Sequence, residues 1–180
     1  MATRAPGSAA QVHVRPARTT DVHVIRHLVD TYAPDRRLLG KATVQLYEDV
    51  QEFNVAEVDG AVVGCGALHV MWEDLGEIRT VAVLPTHVRR GVGRAVVSSL
   101  VERAAVLGVQ RLFCLTFEVH FFERLGFLPI SGTPVSAQVF TELLQSEDEG
   151  VAEFLDLERV KPNTLGNTRM LLRLPPGHVL

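Results

Sequence analysis

The sequence predicts one α/β domain whose central β-sheet is mixed and flanked by helices. Strand-like and helical stretches alternate along 180 residues, in the order β-α-α-β-β-β-α-β-α-β followed by a final strand. Asp59-Gly60 separates two strand-like runs and predicts a hairpin, whose strands are antiparallel. The continuously apolar run 112–115 follows a helix, which favours a buried strand in parallel pairing. Antiparallel and parallel pairs in one sheet make it mixed.

The first half of the chain predicts two helices and four strands. Residues 1–11 are small and polar and predict a disordered tail. Asp21 is placed to cap the first helix and Thr43 the second, which is expected to run to residue 52. A basic, turn-rich loop, 33–41, connects them. A first strand is predicted at 12–16, two hairpin strands at 53–58 and 61–71, a polar turn at 72–76 and the central strand at 78–84.

The second half of the chain begins with a helix that carries apolar side chains at i, i+4 spacing and stops at Gly108. The predicted domain ends at residue 174, and residues 175–180 are expected to form a tail. After Gly108 the sequence predicts a strand at 111–116, a short helix at 119–125, a strand at 127–130 and a helix at 136–144. An acidic loop at 145–150 and a closing strand at 169–174 follow.

A basic glycine loop joins the central strand to this helix. Gly91 and Gly93 would let a ligand approach the backbone closely. The N–H groups of the first helical turn and the helix dipole favour an anion there. Arg89, Arg90 and Arg94 surround the glycines, which favours a phosphate site over a plain tight connection with solvated arginines. The nucleoside-triphosphate and dinucleotide loop patterns do not fit this stretch.

Composition narrows the classes of function. A formal net charge of −3 disfavours general nucleic-acid binding. No apolar run has the length of a membrane span and no signal-peptide core is present, so a cytoplasmic protein without a membrane partner is expected. Cys65 and Cys114 lie in strand-like runs and are predicted to be buried free thiols. No metal-ligand spacing occurs, so no metal is expected.

The glycine loop resembles the acetyl-CoA loop of the GCN5-related acetyltransferases, with the pattern [Q/R]-x-x-G-x-[G/A]. Gly91 and Gly93 fill the glycine places, and Val88 stands at the Gln/Arg position. Within that superfamily, 112–116 and 121–127 resemble the "LFVLT" and "WFxERGF" segments of N-acetylglutamate synthases, while 77–83 resembles their "GEMACVAVHP" strand. The resemblance covers about residues 12–174. These enzymes commonly carry an amino-acid-kinase-like domain first, and only about eleven residues precede the first strand here.

The resemblance implies a GNAT fold and transfer of an acetyl group from acetyl-CoA to an amine. It puts the general base at Glu77 and the Ser/Thr acid at Thr116. The alternatives are a surface carboxylate that closes a strand and a threonine that satisfies backbone groups at a strand end. A strand that splays from its neighbour would offer backbone N–H groups to the thioester and pantetheine. The expected cofactor-binding residues are Val81, Ala82, Val83, Arg89, Arg90, Gly91, Val92, Gly93, Arg94 and Phe122.

An amino-acid acceptor with two carboxylates would need cations. Lys41, Arg79 and Arg169 are the candidates, and Gly166 stands where the family has an arginine, so glutamine fits as well as glutamate. The resemblance, together with these cations, therefore implies an amino-acid N-acetyltransferase that forms N-acetylglutamate for arginine biosynthesis. An acetyltransferase for another amine, such as a protein N-terminus, and a non-catalytic acyl-CoA sensor remain alternatives. A homodimer is left open.

Overall fold

A seven-stranded mixed sheet lies at the centre of the computed structural model, which describes residues 11–33, 41–164 and 166–175. The strand order is β1-β2-β3-β4-β5-β7-β6. Neighbouring strands are antiparallel, except that β4 and β5 are parallel. This confirms the predicted mixed α/β fold. The strands are β1 (His13–Pro16), β2 (Phe53–Val58), β3 (Ala61–Trp72), β4 (Leu75–Val83), β5 (Arg111–Thr116), β6 (Leu128–Pro129) and β7 (Thr168–Arg173).

Helices cover both faces of the sheet. α3 packs on one face, while α1 and α2 cover the first half of the other face and α5 and α6 its second half. Short 3₁₀ turns lie at Thr19–Asp21, Val50–Glu52, Pro85–His87 and Glu158–Val160. The helices are α1 (Val22–Tyr32), α2 (Thr43–Glu48), α3 (Val92–Val106), α4 (Val119–Glu123), α5 (Ala137–Leu143), α6 (Glu149–Phe154) and α7 (Lys161–Thr164).

Two glycines in β3 let α3 lie close to the sheet. A Cβ added to Gly64 would lie 2.8 Å from Val92 Cγ1, and one added to Gly66 would lie 2.8 Å from Val96 Cγ1. Because real Cβ atoms do not approach so closely, the helix can take this position only over glycine. Side chains alternate along a strand, so Cys65 and Ala67 face the opposite side, towards α1. Cys65 and Cys114 are buried free thiols, as predicted.

The central strands β4 and β5 pair over only three residues. Leu75–Glu77 lies beside Arg111–Phe113, and from Ile78 onwards β4 has no partner in β5. A bulge in β4 coincides with this divergence: the register to β3 shifts between Arg79 and Ala82, and Thr80 has φ 57°. The strands therefore splay, as the sequence analysis expected, and the gap opens towards the start of α3.

Several predicted boundaries are wrong, among them the end of the acidic loop expected at 145–150, because α6 already begins at Glu149. The second helix ends at Glu48 and is followed by a separate 3₁₀ turn, because Asp49 leaves the helical conformation. The expected polar turn shrinks to residues 73 and 74, since β3 continues to Trp72 and β4 begins at Leu75. The strand expected at 127–130 is reduced to two residues, Leu128–Pro129.

The predicted helix caps also differ from those observed. Thr43 is the first residue of α2, and the Ala42 N–H donates to Gln45 Oε1 at 2.9 Å instead. The Asp21 carboxylate makes no cap to α1, because it accepts from the Arg18 N–H and the Arg15 guanidinium. The predicted tails, apart from residues 11 and 175, and the basic loop at 34–40 lie outside the described residues. No helix in the described ranges is long and apolar enough to cross a membrane.

We expect Gly66→Ala to lower the free energy of unfolding by about 1–3 kcal/mol, because the added methyl group presses on Val96 and overpacks the core. Urea unfolding would measure the loss. The same substitution in a Val96→Ala background should cost less, because the obstructing methyl is gone. An equal cost in both backgrounds would show that contact with α3 is not the cause.

Candidate active site

The start of α3 forms an open, basic corner at the mouth of the gap between β4 and β5. Gly91 is the N-cap of α3 with φ 83°, and nothing lies within 4 Å of a Cβ added there. Arg89, Arg90 and Arg94 are exposed, and no carboxylate of residues 11–33, 41–164 or 166–175 forms an ion pair with them. Unpaired arginines beside free helical N–H groups make a site for phosphate oxygens.

The edge of β4 carries backbone groups into the gap. The Leu84 N–H donates to the Val63 carbonyl of β3 at 2.8 Å, so the backbone of Val83 faces the other way, towards the departed β5. The alternation gives Val81 the same direction, whereas Ala82 pairs with Cys65 of β3. The Val83 carbonyl accepts a hydrogen bond from the Tyr32 hydroxyl at 2.5 Å. Val81 and Val83 thus form the edge that an extended, amide-bearing ligand would join.

Thr116 and Phe122 lie beyond β5. Thr116 is the last residue of β5 and is buried, and its Oγ1 accepts the Glu118 N–H at 2.9 Å. Phe122 is 5% exposed and packs edge-on against Phe121 and Phe127, with ring centroids 5.0 and 5.2 Å apart. Phe121 is the ring that borders the glycine loop, because a Cβ added to Gly93 would lie 3.4 Å from it. The sequence analysis did not single out Phe121.

Glu77 is a buried carboxyl group at the point where the two central strands part. It is 3% exposed and lies opposite Phe113 in the last paired position of β4 and β5. Its Oε2 has no hydrogen-bond partner in the described structure, and the Arg79 Nη1 is 3.7 Å away. The first turn of α6 closes over it: a Cβ added to Gly150 would lie 2.1 Å from Oε2. The alternative of a surface carboxylate is therefore wrong.

Burial raises the pKa of Glu77 from 4.5 to about 8. Arg79 opposes this rise in the pKa, while the carboxyls of Glu153 and Asp148 add to it. Glu153, itself buried, has its pKa raised to about 7 by that burial and by neighbouring acids. A carboxyl group with a pKa this close to neutrality suits proton transfer.

Four ionisable side chains beside Glu77 form what we call the Arg79 cluster: Glu52, His69, Arg79 and Asp148. Arg79 Nη1 donates to both Asp148 oxygens, at 3.0 and 2.8 Å, and its Nη2 donates to Glu52 Oε2 at 3.0 Å. His69 Nδ1 lies 2.6 Å from Glu52 Oε1, and this contact raises the pKa of His69. Although burial opposes it, the Arg79 guanidinium lowers the pKa of Asp148.

The structure brings only some of the predicted acceptor cations together. Arg79 lies beside Glu77, on the same face of β4. Arg169 lies over the Phe113 ring at 5.7 Å and donates to the Gly132 carbonyl at 3.0 Å and to the carbonyl of Phe154. Lys41 lies just before α2 and pairs with Asp49 at 2.9 Å. Each of the three already has a protein partner.

Sequence reasoning missed five residues of this region. They are Glu52, His69, Asp148, Gly150 and Glu153. A local signal existed for Asp148 alone: an aspartate before Val151 and Ala152 fits a helix N-cap, and its Oδ1 accepts the Val151 N–H at 3.0 Å. Its pairing with Arg79, 69 residues away, has no local signature.

This chain belongs to the acetyltransferase (GNAT) family, whose pattern matches residues 23–127. It is 61% identical over 164 residues to an amino-acid acetyltransferase of Mycobacterium tuberculosis, covering 89% of this chain and 94% of that one. It is 33% identical over 128 residues to an amino-acid acetyltransferase of Aeromonas salmonicida, covering 69% of this chain and 29% of the relative.

Solved structures share the fold. A protein from Mycobacterium tuberculosis in complex with CoA and NLQ superposes with a TM-score of 0.88 at 60% identity, over 91% of this chain and 99% of that one. N-acetylglutamate synthase from Neisseria gonorrhoeae, complexed with coenzyme A and N-acetyl-glutamate, superposes with a TM-score of 0.74. That match is 24% identical and covers 93% of this chain and 36% of the other, so it supports the fold alone.

We expect the stability of the protein to fall as pH rises from about 4.5 to about 8. In this window the folded state keeps a proton on Glu77 that the unfolded state has released, so raising the pH favours unfolding. Glu77→Gln cannot ionise, and its free energy of unfolding should exceed that of the wild type increasingly towards pH 8. Denaturant unfolding at several pH values measures the difference. Exposed Glu102→Gln is the control, and parallel pH curves for wild type and Glu77→Gln would contradict the assignment.

Proposed function

We propose that this protein is an amino-acid N-acetyltransferase that moves an acetyl group from acetyl-CoA to the α-amine of glutamate or glutamine. The observation that carries the proposal is the splayed edge of β4, with Val81 and Val83 facing the gap, the glycine loop at one end and Glu77 at the other. Groups suited to cofactor binding, to proton transfer and to acceptor binding lie along this edge.

The glycine corner fits the phosphates of acetyl-CoA. The positive φ of Gly91 and the open space around it leave room for a diphosphate against the backbone. Arg89, Arg90 and Arg94 supply exposed charge beside it. The backbone of Val81 and Val83 would hold the pantetheine amides as an added strand does. Bound in this way, acetyl-CoA supplies the reactive thioester.

Glu77 and Thr116 supply the proton transfers. An amino-acid acceptor arrives as an ammonium ion, and the ionised form of Glu77 would accept its proton. The Thr116 hydroxyl accepts one hydrogen bond from the Glu118 N–H, which leaves its own hydrogen to donate to the departing sulfur. Glu77 lies on β4 where the two strands part, and Thr116 lies at the end of the neighbouring β5.

The acceptor assignment rests on charge and on the relatives. Arg79 lies within 3.7 Å of Glu77, so a carboxylate on this guanidinium would bring the neighbouring amine towards the base. Arg169 lies on the same side of the sheet, over Phe113. The relative that is 61% identical is named an amino-acid acetyltransferase. The narrower assignments, to glutamate or glutamine, to arginine biosynthesis and to the cytoplasm, are part of the proposal; the buried free thiols fit a reducing compartment.

Thiol release from acetyl-CoA with a panel of amino acids tests this proposal. We expect turnover with glutamate or glutamine and a sharp loss with their α-amides, which lack the α-carboxylate. Glu77→Gln is the control, because it keeps the shape and removes the base; its kcat should fall by about 10²–10⁴. Equal rates with uncharged amines would favour an acetyltransferase for another acceptor. Binding of CoA without turnover of any amine would favour an acyl-CoA sensor.

The cofactor corner is tested by binding. Arg89→Ala/Arg90→Ala should weaken CoA binding in calorimetry by about tenfold or more, since two charge-assisted contacts to phosphate are lost. A dephosphorylated fragment should lose less. Arg173→Ala is the matched control, because Arg173 is also exposed but lies beside Arg111, at the far end of β5. Unchanged affinity in the folded double variant would remove the arginines from the site.

A further inference from the structure

The turn from Asp148 to Gly150 covers both groups that an amino-acid acceptor has to reach. The Asp148 carboxylate is bound to Arg79, and Gly150 closes over the Glu77 carboxyl group. The two are adjacent, since a Cβ added to Gly150 would lie 3.1 Å from Asp148 Oδ1. The Asp148 carboxylate and the Gly150 backbone thus lie side by side. In a free amino acid the carboxylate and the amine-bearing carbon are neighbours in the same way.

We propose that Asp148 is an internal competitor for the acceptor's carboxylate at Arg79, and that the turn at 148–150 lifts from Glu77 when the acceptor takes its place. This inference rests on the proposed function, because it needs an acceptor with a carboxylate. The exchange replaces one carboxylate by another at the same guanidinium, so the charge of the Arg79 cluster does not change.

Arg79 is held in position independently of Asp148. Its Nη2 donates to Glu52 at 3.0 Å, and Glu52 is in turn fixed by His69 of β3 at 2.6 Å. The guanidinium is therefore attached to the sheet side of the site. When Asp148 leaves, Nη1 keeps its place beside Glu77 and is free to bind another carboxylate.

Opening breaks both Asp148–Arg79 hydrogen bonds and the 3.7 Å contact of Asp148 with His69, and the acceptor's carboxylate would restore the bonds at Arg79. Asp148 Oδ1 also accepts the Val151 N–H at 3.0 Å, so its carboxylate keeps a partner within its own helix. Val151 and Phe154 anchor α6 in the apolar cluster over Phe113, which limits the movement to the first turn. The closed arrangement leaves Glu77 Oε2 buried without a partner, a cost that opening relieves.

Opening would also prepare the base. The charged groups that act on Glu77 are Arg79 on β4, His69 on β3, and Asp148 and Glu153 on the α6 side. Lifting the turn admits water and removes the burial that holds the pKa of Glu77 high, and the acceptor's ammonium favours the ionised form. The base would then become ionised when the acceptor is in place.

Opposite ends of one ion pair provide the test. Asp148→Asn keeps an N-cap for α6 and removes the competing charge, so KM for the amino acid should fall by about three- to tenfold with kcat little changed. Arg79→Gln should raise the same KM by about tenfold or more. A merely structural ion pair would move both variants in the same direction. Asp74→Asn is the matched control, since it breaks the pair of Asp74 with Arg111, whose two contacts are 2.9 Å.

Hydrogen exchange gives a second readout that does not depend on turnover. The peptide over 147–155 should exchange faster when acceptor is added to the wild type, and Asp148→Asn should show the faster exchange without acceptor. An unchanged or raised KM in Asp148→Asn, in a protein whose wild type turns over amino acids, overturns this inference alone. No turnover with any amino acid overturns the proposed function and this inference together.

Discussion

The parting of β4 and β5 after three paired residues is the constraint on which the site depends. A parallel pair that continued would satisfy the backbone of Val81 and Val83 and leave no edge for a ligand. The bulge at Thr80 coincides with the parting of the strands, and α3 begins beyond the end of β4. The glycines of β3 allow α3 to lie close enough to complete this corner. The geometry of the backbone, more than any side chain, creates the gap in which we propose that the thioester binds.

Electrostatics then divides the gap into two parts. The glycine corner is basic and exposed, which suits phosphates in contact with water. Around Glu77 the charged groups are half-buried, and Arg79 faces the carboxylates of Glu52 and Asp148. A change of partner at Arg79 therefore alters the electrostatic environment of Glu77 directly, since the two side chains lie only 3.7 Å apart.

Local pattern predicted the fold well. The hairpin at Asp59-Gly60, the buried strand at 112–115 and the glycine loop all have short-range signatures, and all are present. The Arg79 cluster does not, because it joins a 3₁₀ turn, two strands and a helix cap across as many as 96 residues (from 52 to 148). The sequence indicated Glu77 as the base but could not indicate that Gly150 covers it. The roles of Glu77, Thr116 and the three acceptor cations stay predictions.

The burial of both cysteines has a chemical consequence. Cys65 is fully buried, and its burial raises the pKa of the thiol to about 12; burial also raises the pKa of Cys114. Only thiolates react readily with disulfide and maleimide reagents. The thiols of the native protein should therefore not react with these reagents. The absorbance that a thiol reagent develops during turnover would then measure only the liberated coenzyme. When the core unfolds, both thiols become reactive, and the rate at which they are labelled measures global unfolding.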